Sequence, residues 1–220
     1  MLLTGTFFIA WDVLFTRWQI WGFNERYLLG IYVLGLPIEE VLFFVAIPYA
    51  CLFLYETVQL LVKHNWLAAY QRPVTGLLIV GLAWLGMTHW GQAYTASTYL
   101  LAATFLSFHH FYLRRPYLGQ FYMTYLVILV PFFVVNSILT GSWTDEAIVW
   151  YNDQENLGIR WGTIPLEDVG YGFLLMLIKL TLYKAFQKNC LWCVACLSTK
   201  KQLVLCFQLL EPPVDKPNGP

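Results

Sequence analysis

The chain has 220 residues, of which 59% are hydrophobic, 18% aromatic and only 12% charged, and its mean hydropathy is +0.57. So few polar side chains cannot cover a water-soluble globule of this size, which indicates an integral membrane protein. The formal net charge of zero supplies no basic surface, so we expect no nucleic-acid partner and look for a substrate inside the bilayer.

Apolar runs along the chain predict its helices. Because about 20 apolar residues span a bilayer, the runs predict an all-α fold, a polytopic bundle of about six transmembrane helices. The predicted helices are residues 2–15, 37–62, 74–90, 97–113, 121–139 and 164–186. The first run lacks a basic start and a small-residue cleavage site, so we interpret it as a helix and not as a cleavable signal peptide.

An acidic motif opens the second predicted helix and recurs at the last one. Leu36-Pro37-Ile38-Glu39-Glu40 places two adjacent carboxyl groups at the helix start, and Ile164-Pro165-Leu166-Glu167-Asp168 does so again 128 positions later. Upstream, Asp12 near the end of the first helix matches Asn136 near the end of the fifth. A pattern that returns at a fixed spacing indicates an internal repeat.

The two motif helices are the second and the sixth, so the repeats are predicted to be parallel. We divide the chain into a first repeat (residues 1–63), a linker helix (64–96), a second repeat (97–188) and a cytoplasmic tail (189–220). The second repeat has three predicted helices and the first has two, so we expect the first repeat to lack its first helix. The proline-rich end of the tail is predicted to be partly disordered.

Basic residues between the helices predict the orientation. Three fall on the side of the acidic motifs, namely Arg17, Arg26 and Arg160. Eight fall on the other side, namely Lys63, Arg72, Arg114, Arg115, Lys184, Lys188, Lys200 and Lys201. By the positive-inside rule, both termini are cytoplasmic in a multi-pass protein of the inner (cytoplasmic) membrane, and both acidic motifs lie at its outer face.

The paired acids are candidates for chemistry, because a carboxylate at bilayer depth costs about 2.5–3.5 kcal/mol on insertion scales. Adjacent helical residues point about 100° apart, so one acid of each pair can face a cavity while the other bonds the helix end. A simpler interpretation is that Glu39 and Glu167 only cap helix starts exposed to water. The occurrence of the doublet twice at a fixed spacing favours the chemical interpretation.

Aromatic residues are dense around the motifs. Phe43 and Phe44 follow the first acidic pair, Tyr171 follows the second, and Trp11 precedes Asp12. Much of this is typical of the aromatic belt at a membrane interface. Aromatic faces also stabilise cations, by about 0.5–2 kcal/mol each, so these four aromatic residues are candidates for binding a substrate that passes through a carbocation.

These motifs resemble the membrane-embedded lycopene cyclases, the heterodimeric or fused two-repeat cyclases of Gram-positive bacteria, archaea, Bacteroidetes and bifunctional fungal enzymes. The segments similar to their first half are Trp11-Asp12, Trp21-Gly22-Phe23-Asn24, Leu36-Pro37-Ile38-Glu39-Glu40, Phe43-Phe44 and Ile47-Pro48-Tyr49-Ala50. Those similar to the second half are Tyr151-Asn152, Glu155-Asn156, Gly158-Ile159-Arg160 and Gly162-Thr163-Ile164-Pro165-Leu166-Glu167-Asp168. The resemblance covers residues 7–184, and the family usually has another helix before its Trp-Asp motif.

The resemblance implies a lycopene cyclase that forms a β-type ring, an intramolecular lyase or isomerase of carotenoid biosynthesis. Such an enzyme protonates the end of an acyclic carotene, closes a ring through a carbocation and releases a proton, with no net redox change. The resemblance implies Glu39 and Glu167 as general acid and charge stabiliser. The supporting residues are Glu40 and Asp168 beside them, and Asp12 and Asn136 behind them.

We expect no metal and no cofactor, since the chain lacks the Gly-x-Gly-x-x-Gly fingerprint that a flavin-dependent cyclase would carry. The expected partners are a carotenoid substrate, lycopene or a related acyclic carotene, and the lipid bilayer; a homo-oligomer is left open. Two other classes also use intramembrane acids. A proton-coupled transporter predicts a water-lined path, and a membrane prenyltransferase predicts Asp-rich clusters with basic residues nearby, where only Arg160 lies close.

Overall fold

A computed structural model describes residues 2–62, 66–113 and 117–197, with side chains for 3–62, 66–113 and 117–187. Within this part of the chain the fold is all-α, as predicted. The helices α1 to α6 are Leu2–Arg17, Ile38–Leu61, Gln71–Thr88, Ala93–Ser107, Leu118–Leu139 and Leu166–Leu197. The chain divides into two units, Met1–Leu180 and Thr181–Pro220. All contacts described below lie within the first unit.

Three helices in the described part of the chain are long and apolar enough to cross a membrane: α2, α5 and the Leu166–Gln187 part of α6. Each predicted helix overlaps an observed one, because the apolar runs are long and uninterrupted. The π-helical segment Phe108–Leu113 follows α4 directly. The end of α6 at Leu197 differs most from the prediction of residue 186, and the tail from residue 198 lies outside the described residues.

The predicted orientation rests partly on residues that the structure does not describe. These are Lys63, Arg114, Arg115, Lys200 and Lys201. The placement of both termini in the cytoplasm therefore stays a prediction.

The connections after α1 and α5 contain short strands that the apolar pattern did not predict. The strands β1 to β6 are Trp21–Phe23, Tyr32–Val33, Leu36–Pro37, Val149–Tyr151, Arg160–Trp161 and Ile164–Pro165. The pairs β2–β3 and β5–β6 are antiparallel hairpins, and β1 pairs antiparallel with β4. Strands of two or three residues are too short for an alternating sequence pattern to reveal them.

The two hairpins carry the same contacts at the spacing of 128 residues. The matching strand pairs are Tyr32–Pro37 with Arg160–Pro165, and Val33–Leu36 with Trp161–Ile164. Each hairpin has a left-handed residue at the same position, Leu34 with a φ of 55° and Gly162 with a φ of 65°. The turns differ at their second residue, where Gly35 is also left-handed with a φ of 89° and its counterpart Thr163 is not.

The strands β1 and β4 join the two connections to each other. Trp21 lies opposite Tyr151, and Gly22 lies opposite Trp150. Matching backbone bonds flank this pair, from Asn24 N to Ile148 O and from Asn152 N to Ile20 O, both of 2.8 Å. Each of these contacts that one connection makes therefore has an equivalent in the other connection, at the spacing of 128 residues.

An aromatic core holds α1 beneath these connections. Phe8, Trp11 and Phe15 of α1 are buried together with Phe44 of α2 and Tyr94 of α4. Each pair of aromatic rings in contact adds about 0.5–1.5 kcal/mol beyond the contribution of the area that it buries. The core therefore fixes α1 against α2 and α4 at the level of the acidic motifs.

Candidate active site

A cavity of about 110 Å³ lies between α1, α2, α5 and α6, below the β1–β4 pair. Its wall is mainly apolar and aromatic, and its acidic and amide groups come from the two acidic motifs and from the ends of α1 and α5. The lining residues with polar groups are Asp12, Trp21, Glu40, Cys51, Tyr94, Tyr125, Asn136, Tyr151, Asp168 and Tyr171. The remaining lining residues are Phe23, Phe43, Ile47, Ile128, Phe132, Leu139, Val149, Gly172, Leu175 and Met176.

The first acid pair divides between the loop and the cavity. Glu39 Oε1 accepts a hydrogen bond of 2.7 Å from the backbone N–H of Leu29, at the start of the β2–β3 hairpin. Glu40, one residue later, lines the cavity. The step of about 100° between adjacent helical residues separates the two carboxyl groups in this way.

The second pair divides in the same manner. Glu167 is fully buried, and its Oε1 accepts bonds from Leu157 N at 2.7 Å and from the Thr95 hydroxyl at 2.6 Å. Asp168 lines the cavity. The bonds to Leu29 and Leu157 are equivalent at the 128-residue spacing, so in each half of the chain the first acid anchors the hairpin that precedes its helix.

Two phenol groups hold the Asp168 carboxylate. The Tyr94 hydroxyl donates to Oδ1 at 2.6 Å, and the Tyr151 hydroxyl donates to Oδ2 at 2.9 Å. The two rings stack with their centroids 6.1 Å apart. Both oxygens of Asp168 therefore accept a hydrogen bond, and its position in the cavity is fixed from two sides.

Glu40 has different surroundings. Among the residues that the structure describes, none donates a hydrogen bond to its carboxyl group, and none forms an ion pair with it. The described residues that line the cavity include no Lys or Arg. Within this part of the chain, Glu40 therefore has no partner that fixes or neutralises it.

Asp12 and Asn136, at the ends of α1 and α5, also line the cavity. Asp12 is 2% exposed, and its Oδ1 accepts a bond of 2.5 Å from the Trp21 indole N–H. Trp21 lies opposite Tyr151 in the β1–β4 pair, so this strand pair carries one donor for Asp12 and one for Asp168. The structure thus brings four of the six predicted polar site residues, Asp12, Glu40, Asn136 and Asp168, to one cavity, and Glu39 and Glu167 do not line it.

The four predicted substrate-binding aromatics fall into two groups. Phe43 and Tyr171 line the cavity. Trp11 and Phe44 belong to the buried core, where the Phe8 ring stacks with both, at centroid distances of 5.8 and 6.4 Å. Tyr171 contacts Trp11 edge to face at 5.4 Å. The core aromatics therefore support the cavity wall that Tyr171 forms.

An ion pair between Arg160 and Asp153 stabilises the connection between α5 and α6. The Arg160 guanidinium donates to the Asp153 carboxylate and, at 2.9 Å, to the Thr163 carbonyl oxygen. The hydrogen bond from Arg160 holds the pKa of Asp153 below its ordinary value. Arg160 also lies 5.9 Å from the centre of the Tyr151 ring. These contacts tie the β5–β6 hairpin to the strand that carries Tyr151.

The sequence analysis missed Tyr94 and Thr95 as site residues, and it noted Tyr151 only within a motif. Tyr94 and Thr95 lie at the start of α4, 74 and 72 positions before the acids that they contact. No spacing rule connects residues so far apart in the chain. Hydroxyl side chains recur along α4, so those of Tyr94 and Thr95 gave no distinguishing signal in the sequence.

The fold and the cavity together define an all-α membrane protein with carboxyl groups buried in an apolar pocket. The chain belongs to the lycopene cyclase family, whose model matches residues 1–58 and 91–186. This confirms the family resemblance of the motifs and indicates an enzyme of carotenoid biosynthesis that acts on a carotenoid in a membrane. Searches of curated proteins and of solved structures gave no significant match.

Proposed function

We propose that the protein closes a β-type ring at the end of an acyclic carotene by acid catalysis. One observation carries this proposal. The Glu40 carboxyl group, which has no hydrogen-bond partner among the described residues, shares an aromatic-lined cavity with the Asp168 carboxylate, which two phenols hold. A proton donor and a proton acceptor in one apolar site are what an isomerisation through a cation requires.

The reaction starts with Glu40 as general acid. Protonated Glu40 transfers its proton to the terminal carbon–carbon double bond, which forms a new C–H bond and a tertiary carbocation. A neighbouring double bond attacks this cation, which closes the six-membered ring and moves the positive charge to a ring carbon. The aromatic faces of Phe43 and Tyr171 and the Asp168 carboxylate stabilise the charge.

Asp168 completes the reaction as general base. It takes a proton from the carbon next to the cation, and the C–H electrons form the ring double bond. Substrate and product are isomers, so the reaction consumes no oxidant and no reductant. The proton then returns from Asp168 to Glu40. The carboxyl group of Asp12 lines the same cavity.

The sequence analysis assigned the reaction to the first acid of each pair, Glu39 or Glu167. The proposed reaction uses the second acid of each pair, Glu40 or Asp168. The hydrogen bonds of Glu39 and Glu167 to backbone amides support a positioning role for both, because these bonds hold the hairpins from which α2 and α6 start. The cavity supports Glu40 and Asp168 as the residues that touch the substrate. The two predicted parallel repeats then contribute one reacting acid each.

The other classes considered find less support in the cavity. A membrane prenyltransferase needs positive charge near its acids to hold a diphosphate, and the lining residues that the structure describes include no Lys or Arg. A proton-coupled transporter needs a hydrated path, whereas half of the lining residues have wholly apolar side chains or none. The multi-pass topology with both termini in the cytoplasm remains part of the proposal.

Expression in a lycopene-accumulating bacterium, followed by chromatography of the pigments, tests the proposal. We expect the unmutated chain to produce cyclised carotene, and Glu40→Gln and Asp168→Asn to reduce the product at least a hundredfold, because each removes a proton-transfer group. Each variant keeps the volume of the side chain that it replaces. Unchanged lycopene with the intact chain, or full cyclisation in both variants, would contradict the proposal.

A further inference from the structure

The cavity continues into a second space, of about 140 Å³, between α2 and α5. The two spaces share six lining residues: Phe43, Ile47, Cys51, Ile128, Phe132 and Asn136. The second space adds Ala50 and Leu54 of α2 and Pro131 and Val135 of α5, all of them apolar. The acid-lined cavity therefore extends into a largely apolar gap between two helices, whose lining also includes Cys51 and the amide of Asn136.

The outer surface beside this gap is suited to lipid. Tyr49 and Phe53 of α2 are 63% and 67% exposed, and Val134 of α5 is 55% exposed. Both helices are long and apolar enough to cross a membrane. The gap therefore opens at the level of the hydrocarbon chains and not towards water.

The two spaces are small compared with a carotene. A cavity of about 150 Å³ holds a single benzene ring, so spaces of about 110 and 140 Å³ accommodate the end of a long polyene and not its full length. A substrate with its end in the cavity must extend out of the protein. The gap between α2 and α5 continues from the cavity along a largely apolar wall.

We propose that the gap between α2 and α5 is a lateral opening through which one end of the polyene reaches Glu40 while the rest of the chain stays in the bilayer. The identity of the substrate rests on the proposed function, whereas the opening rests on the continuity of the two spaces. Ala50 and Val135 form its two sides and control the width available to the substrate.

Cys51 reports on the opening without any need for activity, because it lines both spaces. The other cysteines, Cys190, Cys193, Cys196 and Cys206, are replaced by serine. Membranes are then treated with phenylmercuric acetate, a lipid-soluble thiol reagent, and modification of Cys51 is followed by mass spectrometry. We expect Ala50→Trp to slow the modification at least tenfold, because the indole fills the gap.

The matched control is Ala46→Trp on the same helix. Ala46 is exposed, as is Ala50, but it lines neither space, so we expect a rate within twofold of that of the unsubstituted protein. On α5, Val135→Trp and the lipid-facing control Val130→Trp provide a second pair in case an α2 variant does not fold. Equal modification rates within both pairs would overturn the opening.

The pigment assay applies the same variants to the substrate. We expect Ala50→Trp and Val135→Trp to reduce cyclised product at least tenfold, and the two controls to retain it. If the intact chain makes no cyclised product, the proposed function fails, and the thiol assay still decides about the opening. If all four variants cyclise equally well, the opening is wrong and the proposed function stands.

A third apolar space, of about 460 Å³, provides the competing route. It lies between α3, α4, α5 and α6, and Tyr125 lines both this space and the cavity. Leu129→Trp narrows the third space with an indole ring, and we expect it to change neither Cys51 modification nor cyclisation by more than twofold. Loss of both in Leu129→Trp, with both retained in Ala50→Trp, would place the entrance there instead and overturn the proposal.

Discussion

At the scale of single residues, two adjacent glutamates at the start of α2 have different surroundings. Glu39 accepts a bond from the Leu29 amide, and Glu40 lines the cavity without a hydrogen-bond partner in the described part of the chain. The sequence shows that both are acidic and that they diverge by about 100°. It does not show which of them points inwards, because this depends on where the preceding hairpin starts the helix.

We expect Glu39→Gln to retain most of the cyclisation activity, within about tenfold of the unmutated chain, because the glutamine carbonyl oxygen can still accept the Leu29 amide bond. Glu39→Ala removes the acceptor of an exposed bond, which water can partly replace, so we expect a loss of about 0.5–1.5 kcal/mol of unfolding free energy. Pigment chromatography and thermal unfolding in detergent measure the two effects. Activity lost in Glu39→Gln without a loss of stability would return the role of general acid to Glu39.

The tyrosines that bond Asp168 give a second residue-level prediction. Tyr94→Phe and Tyr151→Phe each remove one donor to the carboxylate, a bond worth about 1.5–3 kcal/mol, which corresponds to a rate loss of about 10- to 150-fold. We expect this loss in the initial rate of cyclisation by isolated membranes. Tyr70→Phe, at a position that is 64% exposed and outside the cavity lining, is the matched control. Unchanged rates in both site variants would show that Asp168 needs no fixed orientation.

The sequence predicted the composition of the site better than its assembly. It indicated both acid pairs, Asp12 and Asn136 because acids and amides stand out in apolar runs. It could not indicate Tyr94, because tyrosine is common at membrane interfaces and the contact joins residues 74 positions apart. Contacts of this kind depend on helix packing, which no local pattern records.

At the scale of elements, glycine allows α6 to approach α4 closely. A Cβ atom added at Gly170 would lie 2.7 Å from the Tyr99 ring, closer than van der Waals contact permits. The approach lets Tyr94 and Thr95 at the start of α4 reach Asp168 and Glu167. Small residues commonly permit such contacts between membrane helices.

We therefore expect Gly170→Ala to separate α4 from α6, to lower the unfolding free energy by about 1–3 kcal/mol and to weaken cyclisation. Gly76→Ala is the control, because a Cβ atom at Gly76 in α3 meets nothing within 4 Å. Alanine is favoured over glycine inside a helix by about 0.5–1 kcal/mol, so the control should be neutral or stabilising. Denaturation in detergent compares the two variants, and equal stability would contradict the packing argument.

The elements themselves were predictable to different degrees. Helices such as α2 and α5 follow from apolar runs that no other structure can accommodate in a bilayer. The hairpins were not predictable, because they depend on left-handed residues such as Leu34 and Gly162 and on strands of two residues. The pairing of β1 with β4 brings together segments more than 120 positions apart.

At the scale of the whole first unit, both acidic motifs serve one cavity. Glu40 and Asp168 occupy matching positions at the spacing of 128 residues, yet both line the same space. The two residues differ in type, one glutamate and one aspartate. They also differ in their partners, because Asp168 accepts hydrogen bonds from Tyr94 and Tyr151 and Glu40 does not. Two matching positions with unequal partners can divide the tasks of acid and base between them, where two identical positions could not.

A single cavity predicts that the two ends of a symmetric carotene react in separate visits. After the first ring closes, the product must leave through the membrane-facing side and present its other end, because spaces of about 110 and 140 Å³ hold only one end group at a time. With limiting enzyme in lycopene-containing membranes, we expect the one-ring carotene to appear first and any two-ring product to follow after a lag. A two-ring product formed from the earliest times without a one-ring intermediate would require two sites acting at once, which a single cavity of this size does not provide.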